Sequence, residues 1–424
     1  MATQQVIATY LIETPLPVEK VAAIMAGEQS CGTFTRVAGE TDELRQRAAA
    51  NVLKIEQLGQ AELPSLNSQY LQRKEITGPF TRARVTIGFP LANIGTNLTA
   101  LAAIVGGNLF DIGEVTGLRL KDVTVPQDLR QHFPTPPQGI SGTRKILGAY
   151  DRPVFGTIIK PNLGMSPEQT ASLVETLCEA GIDFIKDDEV CGSPDHAPID
   201  KRIRAVMTRV RNYRERTGND VMVAFNISDD IDGMCRHAEL VKAEGGNCVM
   251  VSLNWCGLAA VQSLRKSTDL VIHGHRNGYG AMSRHPLLGI GTLAYQTLYR
   301  LTGIDHLHVH GIGGKFCNPD KEVAESGRHC LVPLCENSEA VDTVMPVFSS
   351  GQWAGNIGVT HEALQSSDFM FLAGGGILAH PDGPSSGVKS LQQGWEAVHT
   401  GTPIEKFAST HTELQQALDF FGKN

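Results

Sequence analysis

The chain has 424 residues, 41% hydrophobic and 19% charged, with a formal net charge of −8, which leaves no basic footprint for nucleic acid. No run reaches the ~18 apolar residues of a membrane span. The length suggests about two or three domains, and nine scattered cysteines with no CxxC pair, behind an N-terminus without a basic-then-apolar leader, are expected of reduced thiols in a cytoplasm.

In chain order, residues 6–12 and 82–89 read as strands and residues 18–27 and 96–106 as helices, the mixture of an α+β sheet domain. Phe133-Pro134-Thr135-Pro136-Pro137 follows. Proline fixes φ and removes a donor, so this is a stiff connector. It divides the chain into residues 1–137 and residues 138–424. Beyond it, strand-like runs recur at 154–159, 184–186, 221–227, 248–253, 270–273, 306–310, 343–348 and 369–373, with helical patterns between most of them, such as 234–243 and 259–266. Eight strand–helix units predict a TIM (β/α)8 barrel, whose functional residues sit where the strands end. A doubly wound sheet shares the alternation, but chemistry-bearing residues at all eight strand ends favour closure.

The first barrel strand ends in Lys160-Pro161-Asn162. Ser166 as N-cap, Pro167 at the first helical position and Glu168 in the first turn open a helix that Gly181 ends. The next strand ends in Lys186-Asp187-Asp188-Glu189. A parallel βαβ unit therefore puts both lysines at the carboxyl ends of neighbouring strands. Clustered charges are costly to bury unless they are paired or bound to a metal. Carboxylates suit a hard cation, and Mg²⁺ is held by one or two of them together with substrate oxygens. Lys186 can react with CO₂ to form a carbamate, a further anionic oxygen ligand. Asp187 is expected to face away, because adjacent strand residues alternate. The bland alternative is a solvated acidic turn.

The two lysine-bearing strand ends resemble those of the large subunit of ribulose bisphosphate carboxylase/oxygenase (RuBisCO) and its RuBisCO-like relatives. That resemblance implies a catalytic TIM barrel behind an α+β, ferredoxin-like N-terminal domain. It implies Mg²⁺ held by Asp188, Glu189 and carbamylated Lys186, with Lys160 or the carbamate moving a proton. His273-Gly274-His275-Arg276 resembles the family's HxHR segment: Arg276 is a planar fork for phosphate, and His275 a proton carrier with an ordinary pKa near neutrality. His306, His308 and His310 alternate along one strand face and would suit zinc as a stripe, but the family places a phosphate-binding histidine at His308. Gly311-Ile312-Gly313-Gly314-Lys315 resembles the loop that closes over substrate and carries a lysine. Ser350-Gly351 resembles the serine–glycine phosphate turn, and Gly374-Gly375-Gly376 offers bare amides ahead of a helix.

The resemblance extends into the first domain, from about residue 6 to residue 400. Glu28 and Thr33 match a segment that reaches a neighbouring subunit's site, and Asn108 the family's GNxF segment, implying a homodimer with shared active sites. Cys31 and Cys317 lie near these motifs, but no triad spacing accompanies them. Four departures stand out: Asn162 replaces a second lysine, Tyr279 a histidine, Phe34 a tryptophan, and Gln352 the second glycine of the serine–glycine turn.

The resemblance thus implies a RuBisCO-like Mg²⁺ enzyme that enolises a phosphorylated keto sugar or keto sugar acid. Polar anion sites at both ends favour a decarboxylase or transcarboxylase/hydrolase of a 3-oxo-isoapionate 4-phosphate-like substrate. Alternatives are a methylthio-ketose phosphate enolase or isomerase of methionine salvage, a ribulose bisphosphate carboxylase, and a non-catalytic regulatory homologue.

Overall fold

The computed structural model describes residues 4–32, 37, 39–335 and 341–423. Among these, thirteen strands are numbered in chain order: β1 (Gln5–Thr14), β2 (Asn51–Ala61), β3 (Phe80–Pro90), β4 (Gly117–Thr124), β5 (Val154–Ile158), β6 (Phe184–Lys186), β7 (Met222–Asn226), β8 (Cys248–Ser252), β9 (Val271–His275), β10 (Leu288–Ile290), β11 (His306–His308), β12 (Met345–Phe348) and β13 (Met370–Leu372). They divide between two compact units.

The first unit carries a five-stranded sheet in the order β10-β4-β1-β3-β2. β1 is antiparallel to both β3 and β4, β2 is antiparallel to β3, and β10 joins β4 in parallel. The order 4-1-3-2, with helix Val18–Glu28 after β1 and helix Leu98–Gly106 before β4, is the expected ferredoxin-like arrangement. β1 is half-buried by alternation: Val6, Ala8, Tyr10 and Ile12 are fully enclosed. Tyr10 donates its hydroxyl to the Val105 carbonyl at 2.7 Å, so the buried phenol has a partner. Residues 278–302 also belong to this unit, which a single cut at residue 137 does not anticipate. The reason is local: β10 extends the sheet at β4, with Leu288 opposite Leu118 and Ile290 opposite Leu120.

The second unit is the closed barrel β5-β6-β7-β8-β9-β11-β12-β13, with all neighbours parallel. Its core is built at period 2 from Met222 and Ala224, Cys248 and Met250, Met345 and Val347, and Met370 and Leu372, with Val154, Phe184 and Val271. Burying each large apolar chain contributes about 1.5–3 kcal/mol. β5 and β6 are linked by helix Pro167–Glu179, which has the predicted Ser166 cap: Ser166 Oγ accepts from Gln169 N, and the Gln169 side chain answers as a capping box. Asp305, just before β11, ties several segments together. It accepts from the amides of Gln138, Gly139 and Ile272 at 2.8–2.9 Å and from Arg265 Nη1 at 2.9 Å. Burial pushes its pKa up, and Arg265 opposes that.

Candidate active site

Strand register sets the site. β5 and β6 pair so that Ile158 stands beside Lys186, which leaves Lys160 just past the end of one strand and Lys186 at the end of the next. Lys160 Nζ lies 2.5 Å from Asp188 Oδ2 and 2.8 Å from Asn162 Oδ1. Lys186 Nζ donates to the Asp187 carbonyl at 2.7 Å and lies 3.3 Å from Glu189 Oε2. The Lys186 and Asp188 side chains are each 1% exposed, whereas Lys160 is 40% and Glu189 33% exposed. The cluster is thus a buried pair with a more open pair above it, not a solvated turn. Burial lowers the Lys186 pKa, against the pull of Glu189 and Asp188.

Alternation sends Asp187 the other way, as expected. Its Oδ2 accepts from Arg202 Nη2 at 3.1 Å and from the Asn226 amide at 3.0 Å, all within the protein interior. Asn226, the last residue of β7, also gives its side-chain amide to the carbonyls of Asp188 and Glu189 at 3.2 and 3.1 Å. This residue was missed in the sequence. The available signal was a polar side chain closing an apolar run at a barrel strand end.

Around this cluster stand the ends of β9 and β11. His275 Nε2 is 3.6 Å from Glu189 Oε2, and its ring meets that of His308 at 4.3 Å between centroids. Arg276 is buried. Burial drives the pKa of both His275 and His308 well below the ordinary imidazole value, with Lys186 adding to the effect. For His275 that direction runs against the expectation of a proton carrier titrating near neutrality. His308 differs from expectation too. One ring nitrogen lies 2.8 Å from His273 Nε2 and the other 3.0 Å from Ser349 Oγ, so both are engaged within the protein rather than turned toward an anion. The stripe of three histidines is broken at His310, whose φ of 72° turns its ring toward Asn318 Oδ1 at 2.8 Å.

The glycine loop and the turn after β12 lock together. Gln352 Nε2 donates to the Ile312 carbonyl at 3.2 Å. A Cβ on Gly314 would lie 2.7 Å from the Ser350 carbonyl, and one on Gly351 3.1 Å from the Lys315 amide. Ser350 itself holds a left-handed φ of 79°, which costs a non-glycine residue about 1–2 kcal/mol. Lys315 is exposed, with Nζ 5.6 Å from the Phe316 ring. After β13, Gly376 is a packing glycine, since a Cβ there would meet the Gln352 carbonyl at 2.5 Å; around Gly375 there is open space. The helix they open, Gly374–Leu378, is only five residues long, so the dipole part of the phosphate expectation is small and the bare amides remain.

In the first unit, Glu28 and Asn108 come together, with Asn108 Nδ2 3.4 Å from Glu28 Oε1. Thr33 lies outside the described residues.

Two family models cover most of the chain. The ribulose bisphosphate carboxylase large chain catalytic domain matches residues 139–421, and the N-terminal domain of the same large chain matches residues 1–129. A 3-oxo-isoapionate-4-phosphate decarboxylase of Rhizobium rhizogenes is 41% identical over 97% of this chain and 97% of its own. A 3-oxo-isoapionate-4-phosphate transcarboxylase/hydrolase of Xanthobacter autotrophicus is 42% identical over 99% of this chain and 100% of its own. Among solved structures, a rubisco-like protein from Burkholderia fungorum superposes with a TM-score of 0.93 at 55% identity, covering 98% of this chain and 100% of that one.

Proposed function

Because the chain belongs to the ribulose bisphosphate carboxylase large-chain family, we propose that it is a RuBisCO-like enzyme that breaks the bond between carbon and carboxylate in a 3-oxo sugar-acid phosphate of the 3-oxo-isoapionate 4-phosphate type. The observation that carries this reading is the seat of Lys160. Asn162, standing where the family's carboxylase has a second lysine, accepts from Lys160 Nζ at 2.8 Å, opposite the 2.5 Å contact with Asp188. The lysine needed beside Lys160 for carboxylation is thus replaced by a neutral acceptor. Two relatives matched over nearly their full length are named for action on 3-oxo-isoapionate 4-phosphate.

The donor set suits Mg²⁺. Among the described residues, no group of three or more histidine, cysteine, aspartate and glutamate side chains stands ready to hold a metal. Asp188 and Glu189 supply two carboxylates, and Lys186 is the third group beside them. The lowered Lys186 pKa favours the neutral amine, the form that adds CO₂. Carbamylation would convert it into the missing oxygen ligand. Bound there, Mg²⁺ would polarise the keto group and ease enolate formation.

The chain's own groups supply the rest. In a β-keto acid, the electron pair of the breaking C–C bond passes into the keto group to form an enolate, and the freed carbon is then protonated. Lys160, more exposed than Asp188 and hydrogen-bonded to it, holds a transferable proton at its Nζ. Arg276 supplies a buried cation for an anionic end of the substrate. The Gly374 and Gly375 amides serve the other end, and Ser350 and Gly351 shape the turn against which the Lys315 loop closes. Glu28, Asn108 and Thr33 complete the site of a second copy in a homodimer. The domain division near residue 137 belongs to the same reading. Among the described residues, no helix is long and apolar enough to cross a membrane.

The test is a substrate panel with Mg²⁺: 3-oxo-isoapionate 4-phosphate, a methylthio-ketose phosphate and ribulose bisphosphate. The expected result is a kcat/KM for the first at least about a hundredfold above the others, the discrimination that a site built for hydrogen-bonded groups can reach. Preferred turnover of either competitor would overturn the assignment.

A further inference from the structure

Five side chains run in single file from helix Gly139–Leu147 through the barrel interior to the end of β12. Thr143 Oγ1 lies 2.6 Å from the Gly139 carbonyl and 2.8 Å from His306 Nε2. His306 Nδ1 lies 3.2 Å from His273 Nδ1. His273 Nε2 lies 2.8 Å from His308 Nε2, and His308 Nδ1 3.0 Å from Ser349 Oγ. Thr143, His273 and His306 are completely enclosed, and His308 and Ser349 nearly so.

One end of the file dictates the whole. A carbonyl oxygen only accepts, so the Thr143 hydroxyl hydrogen points at Gly139. Toward His306, Thr143 can then only accept, and His306 carries its hydrogen on Nε2. A neutral imidazole has one N–H, which leaves His306 Nδ1 a lone pair. His273 must therefore donate from Nδ1 and accept at Nε2. His308 donates from Nε2 and accepts, at Nδ1, the hydroxyl hydrogen of Ser349. Burial lowers the pKa of all three rings and so favours the neutral forms that this order requires. A single reversed ring would set two hydrogens or two lone pairs face to face in a dry interior, where unsatisfied polar groups are costly.

We propose that Ser349, His308, His273, His306 and Thr143 form a one-directional hydrogen-bond chain, anchored on the Gly139 carbonyl, that fixes the tautomer of His308. The chain's existence stands on geometry alone; its use in catalysis rests on the function proposed above. His308, with both nitrogens spent, acts as a positioning residue: its ring packs on His275, which faces Glu189. Thr143, His306 and His273 position it in turn. Ser349 commits its hydrogen inward, which closes the chain at its other end.

The experiment is ¹⁵N NMR of histidine side chains in the full-length protein, with resonances assigned by single substitutions. The expected pattern is Nε2–H for His306 and His308 and Nδ1–H for His273, the less common tautomer of the free side chain. Thr143→Val removes the anchoring acceptor. It should change that pattern and lower kcat at least about tenfold with KM nearly unchanged, while Thr143→Ser should restore both. A wild-type His273 carrying its hydrogen on Nε2 overturns the proposal, as does a folded Thr143→Val protein with wild-type spectrum and kcat. If Thr143→Val does not fold, the wild-type pattern alone decides. Failure of the substrate panel with the tautomer pattern intact discards the reaction and keeps the chain; a reversed pattern in an enzyme active on 3-oxo-isoapionate 4-phosphate discards the chain and keeps the reaction.

Discussion

Asp188 and Glu189 differ in a way that their adjacency in sequence conceals. Asp188 is enclosed, anchored by Lys160 at Oδ2 and by the Val190 amide at Oδ1, whereas Glu189 is one-third exposed and faces both Lys186 and His275. Losing the Asp188 charge therefore disturbs a half-buried ion pair as well as the proposed metal site, and leaves a cation without its partner. That loss costs about 3–5 kcal/mol for a fully buried pair; Lys160 is 40% exposed, so solvent screening makes the penalty smaller here. Glu189→Gln should abolish Mg²⁺-dependent turnover while the melting temperature stays close to wild type. Asp188→Asn should abolish turnover and also lower the melting temperature measurably. Paired activity and melting measurements check this; a Glu189→Gln enzyme with full activity at limiting Mg²⁺ would remove Glu189 from the ligand set. Asp187, the third carboxylate of the run, belongs to Arg202 and is structural.

The elements that bear the site are short, so their ends carry a large share of the chemistry. β11 is only three residues long, yet two of them are the buried histidines His306 and His308, and β9 adds His273. The His306 pKa is pushed down to about 3 by burial, against about 6.5 for an unfolded histidine. Between these values the unfolded chain binds the extra proton and the folded one does not. The contribution of this ring to stability is therefore complete above about pH 6.5 and is lost as the pH falls toward 3. Denaturant midpoints measured from pH 7 to pH 4 should fall, and His306→Gln, which cannot titrate, should show a shallower fall. Equal slopes for the two proteins would contradict the burial argument. Much of this layer was legible beforehand. The eight barrel strands, the Ser166 cap and the lysine-bearing strand ends follow from period, capping chemistry and clustered charge. What escaped the sequence were side chains whose partners lie far along the chain: Asn226 under the Asp188 and Glu189 carbonyls, Gln352 on the Ile312 carbonyl, and Thr143 on His306. Periodicity places a residue on a face and leaves open which distant group it meets. The break of the histidine stripe at His310 depends on a left-handed backbone, for which the residue type gives only a weak signal.

For the molecule as a whole, the family membership and the ferredoxin-like and barrel architectures agree with what the strand-end motifs implied. The departures from the carboxylase pattern do separate things. Asn162 caps Lys160, Gln352 pins the glycine loop, and Tyr279 gives its hydroxyl to the Ile290 carbonyl at 2.9 Å as part of the first unit. The site keeps Lys160, Lys186 and the carboxylates and changes the polar groups beside them, as expected of an enzyme that retains enolate chemistry on a different carbon skeleton. The central claim is that Lys186, with Asp188 and Glu189, drives cleavage of the bond to a substrate carboxylate. The most direct measurement follows a ¹³C label in the carboxylate of 3-oxo-isoapionate 4-phosphate by NMR, with and without Mg²⁺, for wild type and Lys186→Ala. The account predicts that the label leaves its carbon, as CO₂ or in a new carboxylated product, only in wild type with Mg²⁺. A label that stays in place throughout, or one that leaves equally well without Mg²⁺ or without Lys186, would contradict it.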